Sequence, residues 1–117
     1  MSVSIVGGTV QASAALALNA QTGTTYTFVL ADADNKLVTM SNASAITLTV
    51  PPSIFTTGQQ INVASIGVGL TTFAAGAGVT ITSTGATSAA PKLRAQNSAC
   101  TVICTASNTF LIVGDLT

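Results

Sequence analysis

The chain has 117 residues, the length of one domain, and can bury roughly two-thirds of the surface that its unfolded form exposes. Only 5% of the residues are charged, the formal net charge is zero, and histidine and tryptophan are absent. This composition excludes the basic stripe of a protein that binds nucleic acid or acidic lipid, and it leaves few side chains for acid–base catalysis.

The N-terminal residues Met1–Gly23 are predicted to form an extended arm. The segment MSVSIVGGTVQASAALALNA ends in small residues, as a signal peptide does, but no Lys or Arg precedes its apolar part and Gly7-Gly8 interrupts it. Polar residues also break every apolar run well short of the roughly 20 residues that a membrane-spanning helix needs. Gln11–Ala20 allows a short helix that no charged residue supports. We therefore expect an arm that becomes ordered by contact with another chain.

After the arm, apolar and polar residues alternate with a period of two, which predicts a series of short strands. In the predicted strand Ala45–Val50, for example, Ile46 and Leu48 share one face, and Thr47 and Thr49 share the other. The predicted strands are Thr25–Leu30, Ala45–Val50, Gln60–Ile66, Leu70–Ala74, Gly78–Thr82, Ala99–Thr105 and Thr109–Val113.

Turn-forming residues separate these strands, at 31–36, 51–58, 67–69, 74–78, 83–91 and 106–108. Short strands at roughly ten-residue spacing with Gly and Pro turns are typical of an antiparallel sandwich or barrel. The sequence therefore predicts an all-β fold, a single antiparallel β-sandwich or barrel of jelly-roll type. This module covers residues 24–117 and follows the arm at 1–23.

The first turn contains acidic residues that could suggest a calcium site. Asp32, Asp34 and Asn35 in ADADNK match the start of an EF-hand loop, but the glycine and the closing glutamate of that loop are missing. Asp and Asn also favour tight turns because they hydrogen-bond to their own backbone. We therefore predict a turn and no metal site.

Two glycine pairs, Gly67/Gly69 and Gly76/Gly78, could suggest phosphate-binding loops. Neither pair runs into a helix whose N-terminus could hold an anion. We predict that these glycines provide positive φ angles in hairpin turns.

The two cysteines, Cys100 and Cys104, lie on the same face of one predicted strand, about 13 Å apart. They are too distant for a disulfide with each other and too few for a zinc site, so we predict buried free thiols. Lys92 and Arg94 project on the same side of an extended segment and suit an ion pair between subunits. The sequence offers no catalytic, cofactor-binding or metal-binding residue, and we predict that the protein is not an enzyme.

A neutral domain rich in threonine and serine is expected to associate with other chains rather than remain free. In NASAITLTVPP, Thr47 and Thr49 would face a partner, because a threonine methyl gives apolar contact while its hydroxyl satisfies polar groups. Pro51-Pro52 then ends the strand. We predict an obligate homo-oligomer, a closed trimer.

Three sequence blocks in this order resemble a β-rich module of tailed-bacteriophage structural proteins. The blocks are FVLADADNKLVTMSNASAITLTVPP, TGQQINVASIGVGLTTFAAGAGVTI and PKLRAQNSACTVICTASNTFLIVGDL. The resemblance covers about Thr24 to Leu116. The sequence departs from the pattern at Asp34-Asn35, where a single glycine is usual, and at Phe110, where tryptophan is usual. That module occurs at the ends of tail fibres and spikes, in collar proteins and in small capsid decoration proteins, and it has no shared catalytic residues.

The resemblance implies a component of the virion, made in the cytoplasm of the bacterial host. We expect a capsid decoration (cement) protein on the outside of the head, whose partners are other copies of itself and the major capsid protein. The short chain, with an arm and one module, favours this hypothesis. The alternatives are a receptor-binding tip of a tail fibre or spike, and a collar component. We expect no nucleic-acid, membrane or small-molecule partner and no cofactor.

Overall fold

The computed structural model describes residues 3–6, 9–12, 15–83 and 90–117 and confirms the all-β prediction. Residues 84–89, most of the predicted turn at 83–91, and the Gly7-Gly8 pair lie outside the described residues. A short 3-10 helix spans Leu30–Ala33. Within the described ranges the strands are β1 (Val3–Val6), β2 (Thr9–Ala12), β3 (Ala17–Gln21), β4 (Thr25–Thr27), β5 (Lys36–Met40), β6 (Ile46–Val50), β7 (Gln60–Ser65), β8 (Thr71–Ala75), β9 (Thr80–Ser83), β10 (Ser98–Ala106) and β11 (Thr109–Gly114).

These strands form two larger sheets and one hairpin. The six-stranded sheet has the order β3-β5-β7-β10-β11-β9, and the three-stranded sheet has the order β4-β6-β8. Strands β1 and β2 pair only with each other in the described part of the chain, as an antiparallel hairpin. From β3 to β8 the chain alternates between the two larger sheets, so that each consecutive strand pair forms one rung of a coil.

The pairing of these rungs differs from the predicted antiparallel sandwich or barrel. Strands β3, β5 and β7 pair in parallel, and so do β4, β6 and β8, which makes the arrangement solenoid-like. Strand β10 pairs antiparallel with β7 and β11. Strand β9 pairs in parallel with β11. The antiparallel prediction is therefore wrong for the pairing among β3 to β8 and for β9. Period-two alternation shows that a strand has one buried and one exposed face, but it does not show the direction of the neighbouring strand.

The core lies between the two sheets and uses the alternation that the sequence displays. Ile46 and Leu48 of β6 are buried, as predicted, opposite Val63 of β7. Edge-to-face ring contacts join three phenylalanines at the side of this core, with centroid distances of 6.4 and 5.9 Å along Phe28–Phe55–Phe110. Cys100 and Cys104 are also buried and free, which confirms that prediction.

Two strands of the six-stranded sheet, β3 and β5, lie outside the predicted strands. Strand β3 falls in the segment predicted as the arm, yet it pairs in parallel with β5. The last part of Met1–Gly23 therefore belongs to the sheet. The predicted strand Thr25–Leu30 is shorter in the structure, because it ends at Thr27 and the 3-10 helix begins at Leu30.

The glycine pairs serve mainly close packing between turns. Of the four residues, only Gly78 has a positive φ, of 75°, so the prediction of positive φ is wrong for Gly67, Gly69 and Gly76. A Cβ on Gly67 would lie 2.6 Å from the backbone nitrogen of Asn42, and one on Gly69 would overlap the carbonyl of Ser44. These two glycines let the turn after β7 stack directly on the turn after β5.

Candidate interaction faces

Within their strands, the outer faces of the two larger sheets carry no charged side chain. On the three-stranded sheet this face is almost entirely threonine. The register aligns one row through Thr25, Thr47 and Thr72 and a second through Thr27, Thr49 and Ala74. We call these six residues the threonine face. Lys92, which bridges to Thr72, places an exposed ammonium group at one side of it.

The outer face of the six-stranded sheet is larger and more apolar. Its central row follows the register across five strands, through Leu18, Leu37, Asn62, Thr101 and Val113. We call this row and its two neighbours the aliphatic face. The neighbouring rows are Ala20, Thr39, Ala64 and Ala99 on one side, and Gln60, Ile103, Leu111 and Thr82 on the other.

Strand β3 gives this face its most exposed apolar side chains, because its pattern is reversed. Asn19 lies on the side of β3 that faces the interior of the molecule, whereas Leu18 lies on the outer side with 69% of its surface exposed. Leu16, just before the strand, is 41% exposed. A strand whose outer face meets only water normally shows the opposite arrangement, with polar residues outside.

A shallow depression of about 470 Å³ lies in the middle of the aliphatic face. Leu16, Leu37 and Val113 line it. At its polar centre the Thr101 hydroxyl donates to Oδ1 of Asn62 at 2.9 Å, so these two side chains satisfy part of each other's hydrogen-bonding capacity. The depression offers shape and apolar contact but no ionised group, which suits a packing partner better than a reacting substrate.

The acidic turn that resembles an EF-hand is a structural cluster. The buried Asp32 carboxylate accepts hydrogen bonds from the Tyr26 hydroxyl at 2.7 Å, from Nδ2 of Asn19 at 2.8 Å and from the backbone N–H of Val29 at 3.0 Å. Burial, together with the hydrogen bond to Asp32, raises the pKa of Tyr26 to about 12. Asn35 adopts a positive φ of 55°, which fits the predicted turn. Among the described residues no group of acidic, cysteine or histidine side chains could hold a metal ion.

Arg94 forms an ion pair within the chain, whereas the sequence predicts that Lys92 and Arg94 suit an ion pair between subunits. Arg94 contacts Asp115 through two hydrogen bonds, from Nε to Oδ1 at 2.7 Å and from a terminal nitrogen to Oδ2 at 2.9 Å. Asp115 also accepts a hydrogen bond from the Ser98 hydroxyl at 2.7 Å. The hydrogen bonds from Arg94 and then Ser98 lower the pKa of Asp115. An inter-subunit role for Arg94 is therefore not needed to explain its charge.

The chain matches no protein-family model, no curated protein and no solved structure. Within the described part of the chain, no helix has the length and apolar character to cross a membrane.

The sequence predicts part of the threonine face but not the aliphatic face. Thr47 and Thr49 lie on the outer side of β6, as the alternation predicts. The predicted strands do not include the aliphatic face, because they leave Leu18 in the arm and Leu37 outside any strand. The available signal was the alternation in LALNAQ, which places leucine and alanine opposite asparagine and glutamine.

Proposed function

We propose that this protein is a structural component of a tailed-bacteriophage virion, a capsid decoration protein that forms homotrimers and binds the major capsid protein on the outside of the head. The observation that carries the proposal is the pair of uncharged outer faces on a chain with 5% charged residues. Such faces favour association with other protein surfaces. The resemblance of the three sequence blocks to phage structural modules supplies the identity of the assembly.

In this proposal the threonine face contacts the capsid shell. Its paired rows lie at the roughly 4.8 Å spacing of neighbouring strands and present methyl and hydroxyl groups together. A flat array of this kind makes many weak contacts with a neutral protein surface. Three copies held together would multiply those contacts, so that a trimer binds the shell far more tightly than one chain does.

The chemistry of the described residues supports a binding role over a catalytic one. Asp32 is occupied by three donors, Asp115 is paired with Arg94, and the thiol of Cys100 is buried with its pKa raised to about 12 by that burial. Cys100 lines the depression, but with this raised pKa its thiol is a poor nucleophile, and neither Asp32 nor Asp115 lies among the residues that line the depression.

Quantitative mass spectrometry of purified phage particles tests this function. A decoration protein is expected in a copy number comparable with that of the major capsid protein. A receptor-binding tip or a collar component, the two alternatives, would be present in far fewer copies. Absence of the chain from washed particles would overturn all three virion assignments.

A second experiment addresses attachment. We expect a chain lacking residues 1–14 to keep its two larger sheets, because β3 is retained, but to bind isolated capsids more weakly than the full chain. We propose that the N-terminal segment adds to the shell contact made by the threonine face, and equal binding of the two chains would contradict that role.

A further inference from the structure

We propose that the aliphatic face is the surface on which a second copy of this chain packs. The inference rests on the self-association that is part of the proposed function, but it does not depend on the virion role. It assigns that contact to the outer side of the six-stranded sheet, through the row Leu18, Leu37, Asn62, Thr101 and Val113.

The reversed pattern of β3 is the first reason. Leu18 is exposed while Asn19 and Gln21, its neighbours in the strand, lie on the opposite side of the sheet, in the register of the buried residues Val38 and Met40. Asn19 is needed there because its amide donates to Asp32. Burying a leucine side chain is favourable, because it removes apolar surface from water. In a single chain Leu18 stays exposed and this contribution is lost. A neighbouring copy that packs on this face would bury the side chain.

The second reason is area. The face has thirteen residues in its three rows, and at about 4.8 Å between strands and about 6.7 Å between rows they cover roughly 420 Å² on each copy. Two such faces cover about 840 Å² in total, which approaches the lower limit of about 1,000 Å² for a specific protein interface. The threonine face, with three strands and two rows, measures only about 190 Å² by the same estimate. Of the two faces, only the aliphatic one comes near the area that a contact between copies needs.

The third reason is charge. The three rows of the aliphatic face contain no Asp, Glu, Lys or Arg among the described residues, so a second copy meets no like charge. The polar pair at the centre, Thr101 and Asn62, is already joined by a hydrogen bond, which lowers the cost of removing it from water. A face of this kind can pack on other copies of the chain without ion pairs, which suits a chain with few ionised side chains.

Sedimentation velocity of two matched variants tests the assignment. Leu18→Glu places a carboxylate in the aliphatic face, where a second copy would have to bury it unpaired. Thr47→Glu places the same group at an exposed site on the threonine face, in the central strand of the smaller sheet. We expect the parent chain and Thr47→Glu to associate alike, and Leu18→Glu to dissociate with a Kd raised about 100-fold or more. Circular dichroism checks that each variant is folded.

If Leu18→Glu fails to fold, Val113→Glu at the other end of the row serves instead, since Val113 is 41% exposed on a strand that does not depend on β3. Unchanged association of the folded face variant would overturn the proposal, and so would a Thr47→Glu variant that dissociates in its place. A monomeric parent whose Leu18→Glu variant loses only capsid binding would assign the face to the shell protein, which also overturns it. In that last case the proposed contact between copies fails while the proposed virion role stands, so the experiment distinguishes failure of one from failure of the other.

Discussion

At the scale of single residues, the cluster around Asp32 fixes the first turn of the main module. One buried carboxylate joins β3 through Asn19, β4 through Tyr26 and the start of the 3-10 helix through the N–H of Val29. Three elements that are separate in sequence thus depend on a single side chain. The cluster explains why an acidic residue is buried in a chain that has so few of them.

We predict that Asp32→Asn lowers the free energy of unfolding by about 1–3 kcal/mol. The amide group of asparagine replaces one accepting oxygen by a donor, which then faces another donor from Asn19, Tyr26 or Val29. Urea unfolding followed by circular dichroism measures the change. Tyr26→Phe is the matched control, because it removes the hydrogen bond donated to Asp32 and the one accepted from Asn19 without placing a donor against a donor, and it should cost less, about 1 kcal/mol. Equal stability of Asp32→Asn and the parent would contradict the role of the cluster.

The single tyrosine allows this cluster to be titrated directly. Because the pKa of Tyr26 is raised to about 12 in the folded chain, the unfolded chain loses the phenol proton first as the pH rises above 10. Stability from this group is therefore complete below pH 10 and declines between about pH 10 and 12. Phenolate absorbance should rise near pH 12 in the folded chain and near pH 10 in urea. Coincident titrations in the two states would show that Tyr26 is not held by Asp32.

Gly69 provides a prediction about packing between turns. Gly69→Ala places a methyl group against the backbone of Ser44 and should lower the free energy of unfolding by about 2 kcal/mol or more. Gly23→Ala is the control, since its added Cβ lies at an ordinary contact distance, 3.6 Å from the nearest atom. Similar melting temperatures for the two variants would argue against the stacked turns.

At the scale of elements, the sequence predicts strands well where one face is buried and the other is polar. Strands β6, β7, β8, β10 and β11 lie close to their predicted positions because their apolar residues alternate cleanly. Strand β5 was missed because Val38, Thr39 and Met40 are all buried, which removes the alternation. Strand β3 was missed because its apolar side faces outward, which only its contacts with β5 and Asp32 explain.

The two boundaries of the N-terminal segment give the element-scale prediction. Removal of residues 1–14 leaves β3 in place and should hardly change the melting temperature of the main module. Removal of residues 1–23 deletes β3, exposes the edge of β5 and takes Asn19 away from Asp32, so the melting temperature should fall by several degrees. Thermal unfolding of both truncated chains, each compared with the full chain, measures these changes in melting temperature. If removal of residues 1–14 lowered the melting temperature as much as removal of residues 1–23 does, the main module would begin before β3.

At the scale of the whole molecule, strand direction was beyond what the alternation could reveal. A strand that pairs in parallel, after the chain has crossed to the other sheet and back, shows the same period-two pattern of residues as a hairpin strand that pairs antiparallel. The long connections between successive strands of one sheet, such as Met40 to Gln60, are what permit the parallel pairing of β5 and β7. The candidate site was predicted in part: the threonines of β6 from their alternation, but not the larger aliphatic face.

The scarcity of charge has its explanation at this same scale. The side chains of Asp32, Arg94 and Asp115 serve contacts within the chain, while the strand residues of both outer faces are neutral and Lys92 lies at the side of the threonine face. Charge placed on either face would oppose association with other chains. The composition is therefore what the proposed function requires of surfaces that contact other chains.

The molar mass in solution, measured by light scattering on a size-exclusion column across micromolar concentrations, bears most directly on this account. We predict a mass three times that of the single chain of 11.5 kDa. A mass equal to one chain at every concentration would contradict it, because both neutral faces would then be permanently exposed to water.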